Sequence, residues 1–124
     1  MKEAFFADDA PKAAGPYSHA VRGGDTVYLA GQGPWDPQTG EQPEGFEEQA
    51  RQTFRNLEAA ARAAGARLAD AVRIGVFLRD MADFPIMNAV YEEFVPSQFP
   101  ARTTIQSDLP GLAIEIDAVL YVGR

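Results

Sequence analysis

The segment from Ala113 to Val122 constrains the fold more than any other stretch. Ile114, Ile116, Ala118, Leu120 and Val122 fall on one side of a two-residue repeat, and Glu115, Asp117, Val119 and Tyr121 on the other. Strict alternation over that length predicts a β-strand with one face in a core. A sheet buried on one face needs helices to cover it, and the chain supplies two segments of helical period. In the first, from Phe46 to Ala64, the residues Phe46, Ala50, Phe54, Leu57, Ala61 and Ala64 recur at spacings of three and four, and Gly65 is placed to end it in a left-handed cap. In the second, Asp83 is the expected N-cap and Phe84, Met87, Tyr91 and Phe94 form the apolar stripe, with Pro96 and Pro100 stopping the helix.

The remaining elements follow from turn chemistry. A short strand is expected over Lys2–Ala7, then a loop from Asp9 to Tyr17 marked by its prolines and glycine. Gly23-Gly24-Asp25 separates Ala20–Arg22 from Thr26–Ala30, the pattern of a hairpin. Gly31–Gly45 reads as a second loop carrying the one tryptophan, Trp35. Ala71–Leu78 is β-like, and Ala101–Ser107 is joined to the last strand through the turn Leu109-Pro110-Gly111. The order β-ββ-α-β-α-ββ predicts an α+β fold, a mixed sheet with both helices packed on one face. A chain of 124 residues is expected to form one domain, 1–124, with enough buried surface for a core without staples.

Composition narrows the chemistry. The chain has no cysteine, which removes disulfides, zinc–thiolate sites, iron–sulfur clusters and thiol nucleophiles together. No run approaches the ~20 apolar residues of a membrane span, and acids stand where a signal peptide would need an apolar stretch, so a soluble cytoplasmic protein without a membrane partner is expected. The formal net charge of −7 argues against a nucleic-acid partner, which would call for a basic face. Arg51, Arg55 and Arg62 are interleaved with Glu47, Glu48 and Glu58, the pattern of a solvated helix face with local ion pairs.

Familiar site motifs are missing. Gly31-Gln32-Gly33 opens like a dinucleotide fingerprint, but Asp36 stands at the third glycine position. His19 is the sole histidine, so no histidine pair is available for a metal, and it reads as a bystander. Ser18 and Ser107 have no base partner in view. Arg102 and Glu115 stand out, because both fall in what read as neighbouring strands among residues that want burial. Two readings are open. The pair is a structural cross-strand ion pair or part of an exposed sheet face; or Arg102 grips a substrate carboxylate through its planar fork while Glu115 works on a water beside it.

Five segments together carry a resemblance. They are Ala10-Pro11-Lys12-Ala13-Ala14-Gly15-Pro16-Tyr17; Gly31-Gln32 ahead of Asp36-Pro37-Gln38-Thr39-Gly40-Glu41; Asn88-Ala89-Val90-Tyr91-Glu92-Glu93-Phe94; Phe99-Pro100-Ala101-Arg102-Thr103; and Ile114-Glu115-Ile116-Asp117-Ala118. In this order and spacing they closely resemble the RidA (YjgF/YER057c/UK114) family of reactive-intermediate deaminases. The resemblance implies a chorismate-mutase-like α+β fold and a homotrimer with a central barrel and sites in clefts between subunits. It further implies cofactor-free hydrolysis of 2-enamine and 2-imino acids such as 2-aminoacrylate to 2-keto acids and ammonia. Matched position by position, Arg102 is the carboxylate-gripping arginine, Glu115 the acid that activates water or moves protons, and Tyr17 the loop tyrosine near the substrate. Asn88 is a structural helix asparagine, a backbone N–H around Thr104 is a further substrate contact, and Gly31 belongs to the loop lining the pocket. Thr104 stands where many members have cysteine, Ala30 where serine is frequent and Trp35 where an aliphatic residue is common. These departures bear on substrate range and leave the arginine and the acid in place. The alternatives are a non-catalytic trimeric module that binds small acids and, less favoured by the charge, an endoribonuclease.

Overall fold

The computed structural model describes residues 1–123. The elements are β1 (Glu3–Phe5), β2 (Ala20–Gly23), β3 (Thr26–Gln32), α1 (Phe46–Ala63), β4 (Ala71–Leu78), α2 (Phe84–Phe94), β5 (Ala101–Gln106) and β6 (Ile114–Tyr121). The six strands form one sheet in the order β1-β2-β3-β6-β4-β5. All neighbours are antiparallel except β4 and β5, which run parallel and are joined through α2. The mixed sheet with two helices on one face is therefore present as expected.

The alternation in β6 decides which face the helices cover. Ile114, Ile116 and Leu120 have no exposed surface and Ala118 is 4% exposed. Beside them Ile74, Val76 and Leu78 of β4, Val27 and Leu29 of β3 and Ala20 of β2 are buried in the same row. Against this floor α1 sets Ala50, Phe54, Leu57 and Ala61, and α2 sets Met87, Val90 and Tyr91. Phe54 ties the helices together, its ring stacked on Phe94 at 5.2 Å and edge-on to Tyr91 at 5.8 Å. The opposite sheet face carries no helix.

Helix ends follow their local chemistry with one exception. Gly65 takes φ 73° after α1; its N–H donates to the Arg62 carbonyl and that of Ala66 to the Ala61 carbonyl, a Schellman closure. Asp83 occupies the N-cap position of α2, but its side chain makes no capping bond. Its backbone is already helical there, because a 3-10 turn over Met81–Asp83 leads in, and Asp80 performs the capping by accepting from the Ala82 N–H at 2.9 Å. Strand β3 also runs further than turn chemistry indicates, through Gly31 and Gln32, because β6 is long enough to pair with Gln32 through Ile116 across a bulge.

Lone His19 is a pin rather than a bystander. It is 3% exposed; Nδ1 accepts the Ala7 N–H at 2.8 Å and Nε2 lies 2.8 Å from the Pro11 carbonyl. Those partners assign the proton to Nε2 and occupy both nitrogens, fastening the segment after β1 to the start of β2.

Because Ile116 packs at the sheet centre with no exposure, Ile116→Ala leaves a cavity that neighbouring strands close poorly. The expected loss is about 3 kcal/mol, read as a lower urea midpoint with unchanged slope.

Candidate functional site

Arg102 lies on the helix-covered face of β5, since it sits beside Ile74 in register and Ile74 is in the core. Half-buried under α2, its guanidinium meets no carboxylate within ion-pair distance among the described residues. Its neighbours are neutral. The Cζ atom lies 4.7 Å from the Tyr91 ring centroid and 5.6 Å from that of Phe84, and Nη1 is 3.9 Å from the Met87 sulfur. A cavity of ≈350 Å³ opens beside it, lined by Asn88, Tyr91, Glu92, Phe99, Pro100 and Arg102. Thr104 shares the face of Arg102, next to Val76. Among the described residues three buried side-chain oxygens find no partner, namely Asn88 Oδ1, Tyr91 Oη and Thr104 Oγ1. Orphans of this kind are uncommon in folded proteins.

Glu115 lies elsewhere. It is beside Phe77 on the uncovered face of β6. Its side chain lies over Gly31, where an added Cβ would come 2.5 Å from Glu115 Oε2 and 3.0 Å from Cδ. A Cβ there would displace the end of the Glu115 side chain, and the pairing of Gln32 with Ile116 keeps Gly31 within strand β3 rather than in the loop after it. Burial, and then the Asp117 charge two residues along the same face, push the Glu115 carboxyl above the ordinary glutamate range. The loop following Gly31 is tied down by Asn56 of α1, 1% exposed, whose amide nitrogen donates to the carbonyls of Gly33 at 2.9 Å and Trp35 at 2.7 Å.

Arg102 and Glu115 are therefore not on neighbouring strands: β4 lies between β5 and β6. Nor do they share a face. The same alternation that buries Ile114 and Ile116 turns Glu115 away from the helices, while Arg102 sits on the helix side. Within one chain a direct ion pair between them is excluded. Tyr17 is 44% exposed on the loop before β2; its hydroxyl accepts the Ala14 N–H at 3.0 Å, and it lines no part of the Arg102 cavity. Asn88 does line it, and Gly31 stands with Glu115. Helical periodicity places Tyr91 in the core and gives Asn56 no role. The signals available were a polar-tipped aromatic in an apolar stripe and an amide on a buried helix face.

Ion pairs elsewhere gather around α1. Arg51 bonds Glu47, Glu48 and Glu93, and Arg62 bonds Asp9 at 2.9 Å. Among the described residues no three acidic or histidine side chains are grouped to hold a metal ion, and no helix is long and apolar enough to cross a membrane.

A six-stranded mixed sheet backed on one face by two helices, with a half-buried arginine unpaired among the described residues, defines a small α+β protein. Residues 7–122 match the family model described as Endoribonuclease L-PSP. The chain is 44% identical to a RutC family protein of Pyrococcus horikoshii, over 98% of each chain. It is 41% identical to the 2-iminobutanoate/2-iminopropanoate deaminase of Dermatophagoides farinae, over 91% of each. The crystal structure of RidA from the Antarctic bacterium Psychrobacter sp. PAMC 21119 superposes with a TM-score of 0.92 at 42% identity, over 97% of this chain and 99% of that one. The chain belongs to the RidA (YjgF/YER057c/UK114) family.

Two outcomes follow from the Glu115 environment. A carboxyl raised in the folded state holds its proton more tightly than in the unfolded chain, so stability falls as pH rises through its titration and stays reduced at neutral pH. Glu115→Gln is accordingly expected to be more stable than wild type at neutral pH, with the gap in urea midpoint closing on acidification. Gly31→Ala is expected to fold with a loss under about 1 kcal/mol, since the overlap falls mainly on the mobile end of Glu115. It should nonetheless move the carboxylate, read as a changed Glu115 titration by carbon-13 NMR.

Proposed function

We propose that this protein hydrolyses reactive 2-enamine and 2-imino acids, such as 2-aminoacrylate, to 2-keto acids and ammonia without a cofactor. The observation that carries this reading is the half-buried Arg102 guanidinium, which meets no carboxylate among the described residues. A charge desolvated to that extent is normally paired, and a small organic acid supplies the missing partner. The name of the Dermatophagoides relative as an iminobutanoate and iminopropanoate deaminase supports the same substrate class.

Arg102 grips the substrate carboxylate through two parallel N–H bonds and orients C2. Glu115 takes a proton from water as its oxygen adds to C2 of the protonated imine, giving a neutral carbinolamine. Glu115 then returns that proton to nitrogen, the carbon–nitrogen bond breaks as the hydroxyl oxygen closes the carbonyl, and ammonia leaves with the hydroxyl proton as ammonium. Enamines reach this path after protonation at C3 turns them into imines. The raised Glu115 carboxyl suits both directions of transfer, and a positioned acid–base group contributes ~10²–10⁴-fold. Imine hydrolysis is quick without help, so positioning suffices.

Since one chain separates Arg102 from Glu115, the reading requires a second copy. We assign the site to a cleft between subunits of a homotrimer with a central barrel, one chain giving Arg102, Asn88 and the Thr104 backbone, its neighbour Glu115, Gly31 and Tyr17. The bare sheet face supports such an assembly: Tyr28, Ile105 and Tyr121 are about half exposed on the side without helices, and apolar groups gathered on one face mark contact surfaces.

A second reading, a trimeric module that binds small acids without chemistry, draws on the same separation, because the Arg102 half needs nothing from Glu115 to hold a carboxylate. An endoribonuclease has less behind it. The net charge is −7, and two of the three arginines of α1 are already engaged, Arg51 by Glu47, Glu48 and Glu93 and Arg62 by Asp9.

The deciding experiment generates imino acids in situ with an amino-acid oxidase and traps survivors with semicarbazide. Wild type is expected to speed loss of the trapped signal, Arg102→Ala to abolish that effect, and Glu115→Ala to lower turnover with less change in ligand binding. Unfolding Arg102→Ala and Glu115→Ala together in equal amounts and refolding them should restore about a quarter of wild-type activity, because about three quarters of random trimers regain one whole site in three. No recovery would place both residues in one subunit's site and refute the shared cleft. No hydrolysis of any imino acid by well-folded wild type would leave the binding module standing.

A further inference from the structure

What holds Arg102 in place is unusual for a desolvated guanidinium. Its partners come from a single stripe of α2, Phe84, Met87 and Tyr91, and none is charged. The nearest ring is that of Tyr91, 4.7 Å from Cζ. Tyr91 in turn has little freedom: it is 4% exposed, the Phe54 ring meets it edge-on at 5.8 Å, and Phe99 lies 6.3 Å away on the cavity side. Burial pushes its phenol above the usual range, so beside Arg102 it remains a neutral ring rather than a counter-ion. Its hydroxyl finds no partner among the described residues.

The chemistry of the two possible holders differs. A carboxylate would bond the edge of the guanidinium and occupy the donors that an incoming acid needs. An aromatic ring engages the flat π surface and leaves the N–H edge open. We propose that Tyr91 is a positioning residue of the Arg102 site: its ring holds the guanidinium by its face while Nη1 rests against the Met87 sulfur, leaving the remaining N–H donors for the carboxylate of a small 2-imino or 2-oxo acid. The inference rests on Arg102 being the carboxylate clamp. It assigns the helix stripe a second duty beyond packing, since Tyr91 links the Phe54 core contact directly to the anion site.

The test compares Tyr91→Phe, which keeps the ring, with Tyr91→Leu, which removes it, and with Tyr91→Met as a better volume match should the leucine variant unfold. Each is checked for its melting temperature and elution volume. Binding of 2-oxobutanoate is then measured by calorimetry, and kcat and KM with an imino acid in the trapping assay. The phenylalanine variant is expected within about twofold of wild type in both the dissociation constant and KM. Removing the ring should raise both about five- to tenfold while kcat stays within about twofold, the mark of lost carboxylate binding rather than lost chemistry. A folded leucine or methionine variant with unchanged KM and affinity overturns the proposal. So does a phenylalanine variant as impaired as the leucine one, which would transfer the effect to the hydroxyl. The binding arm separates this idea from the deaminase reading. If wild type binds 2-oxobutanoate and loss of the ring weakens it, but no imine is hydrolysed, Tyr91 keeps its role and the enzymatic reading falls. If wild type does not bind the acid at all, the clamp and the proposal fall together.

Discussion

Burial of the inward row of β6 sets nearly everything else. Ile114, Ile116, Ala118 and Leu120 lie between β3 and β4, in the core that both helices close. A strand cannot slip by one residue there without driving Glu115 and Asp117 into the core. Once the register is set, both acids must face the other side. The Glu115 carboxylate then needs a neighbour without a side chain, and the bulge in β3 brings Gly31 to it.

The opposite sheet edge solves a different electrostatic problem. Arg102 is placed on the buried face, where an ion pair would ordinarily be expected, yet α2 offers two aromatic rings and a thioether. Such contacts are each worth about 1 kcal/mol. That is enough to orient the side chain and too little to compete with a bidentate carboxylate. A helix that closes the core through Tyr91 and Val90 thus also lines the candidate site at Arg102. The unpartnered Asn88, Tyr91 and Thr104 oxygens cluster on the elements that frame that site, α2 and β5.

Much of the fold was legible in particular residues. The alternation of Ile114 to Val122, the Phe46–Ala64 stripe, and Gly65 each report a local rule that the tertiary structure had no reason to override. The errors have equally local causes. Asp83 looked like a cap because its residue type is right, but Asp80 and a 3-10 turn reach the backbone first. Gly31 looked like loop because glycine breaks strands, whereas here it is spared a side chain for the sake of Glu115. His19 looked idle because its partners, Ala7 and Pro11, are 12 and 8 residues away and are backbone groups without any motif. Of the site, Arg102 and Glu115 were visible as charges among apolar neighbours, and Asn56 was not, because its partners are carbonyls more than 20 residues distant.

Periodicity and composition alone determined the class of fold, the face each helix buries and the absence of thiol chemistry, since these depend on spacing along the chain and on which side chains exist. Strand order was beyond them. Whether β4 lies between β5 and β6 depends on contacts distant in sequence, and that order, with the pleat, put Arg102 and Glu115 on opposite faces. The same holds for what surrounds the arginine: the spacing of Phe84, Met87 and Tyr91 announced a buried stripe, but only the packing of α2 over β5 made that stripe the partner of a charge.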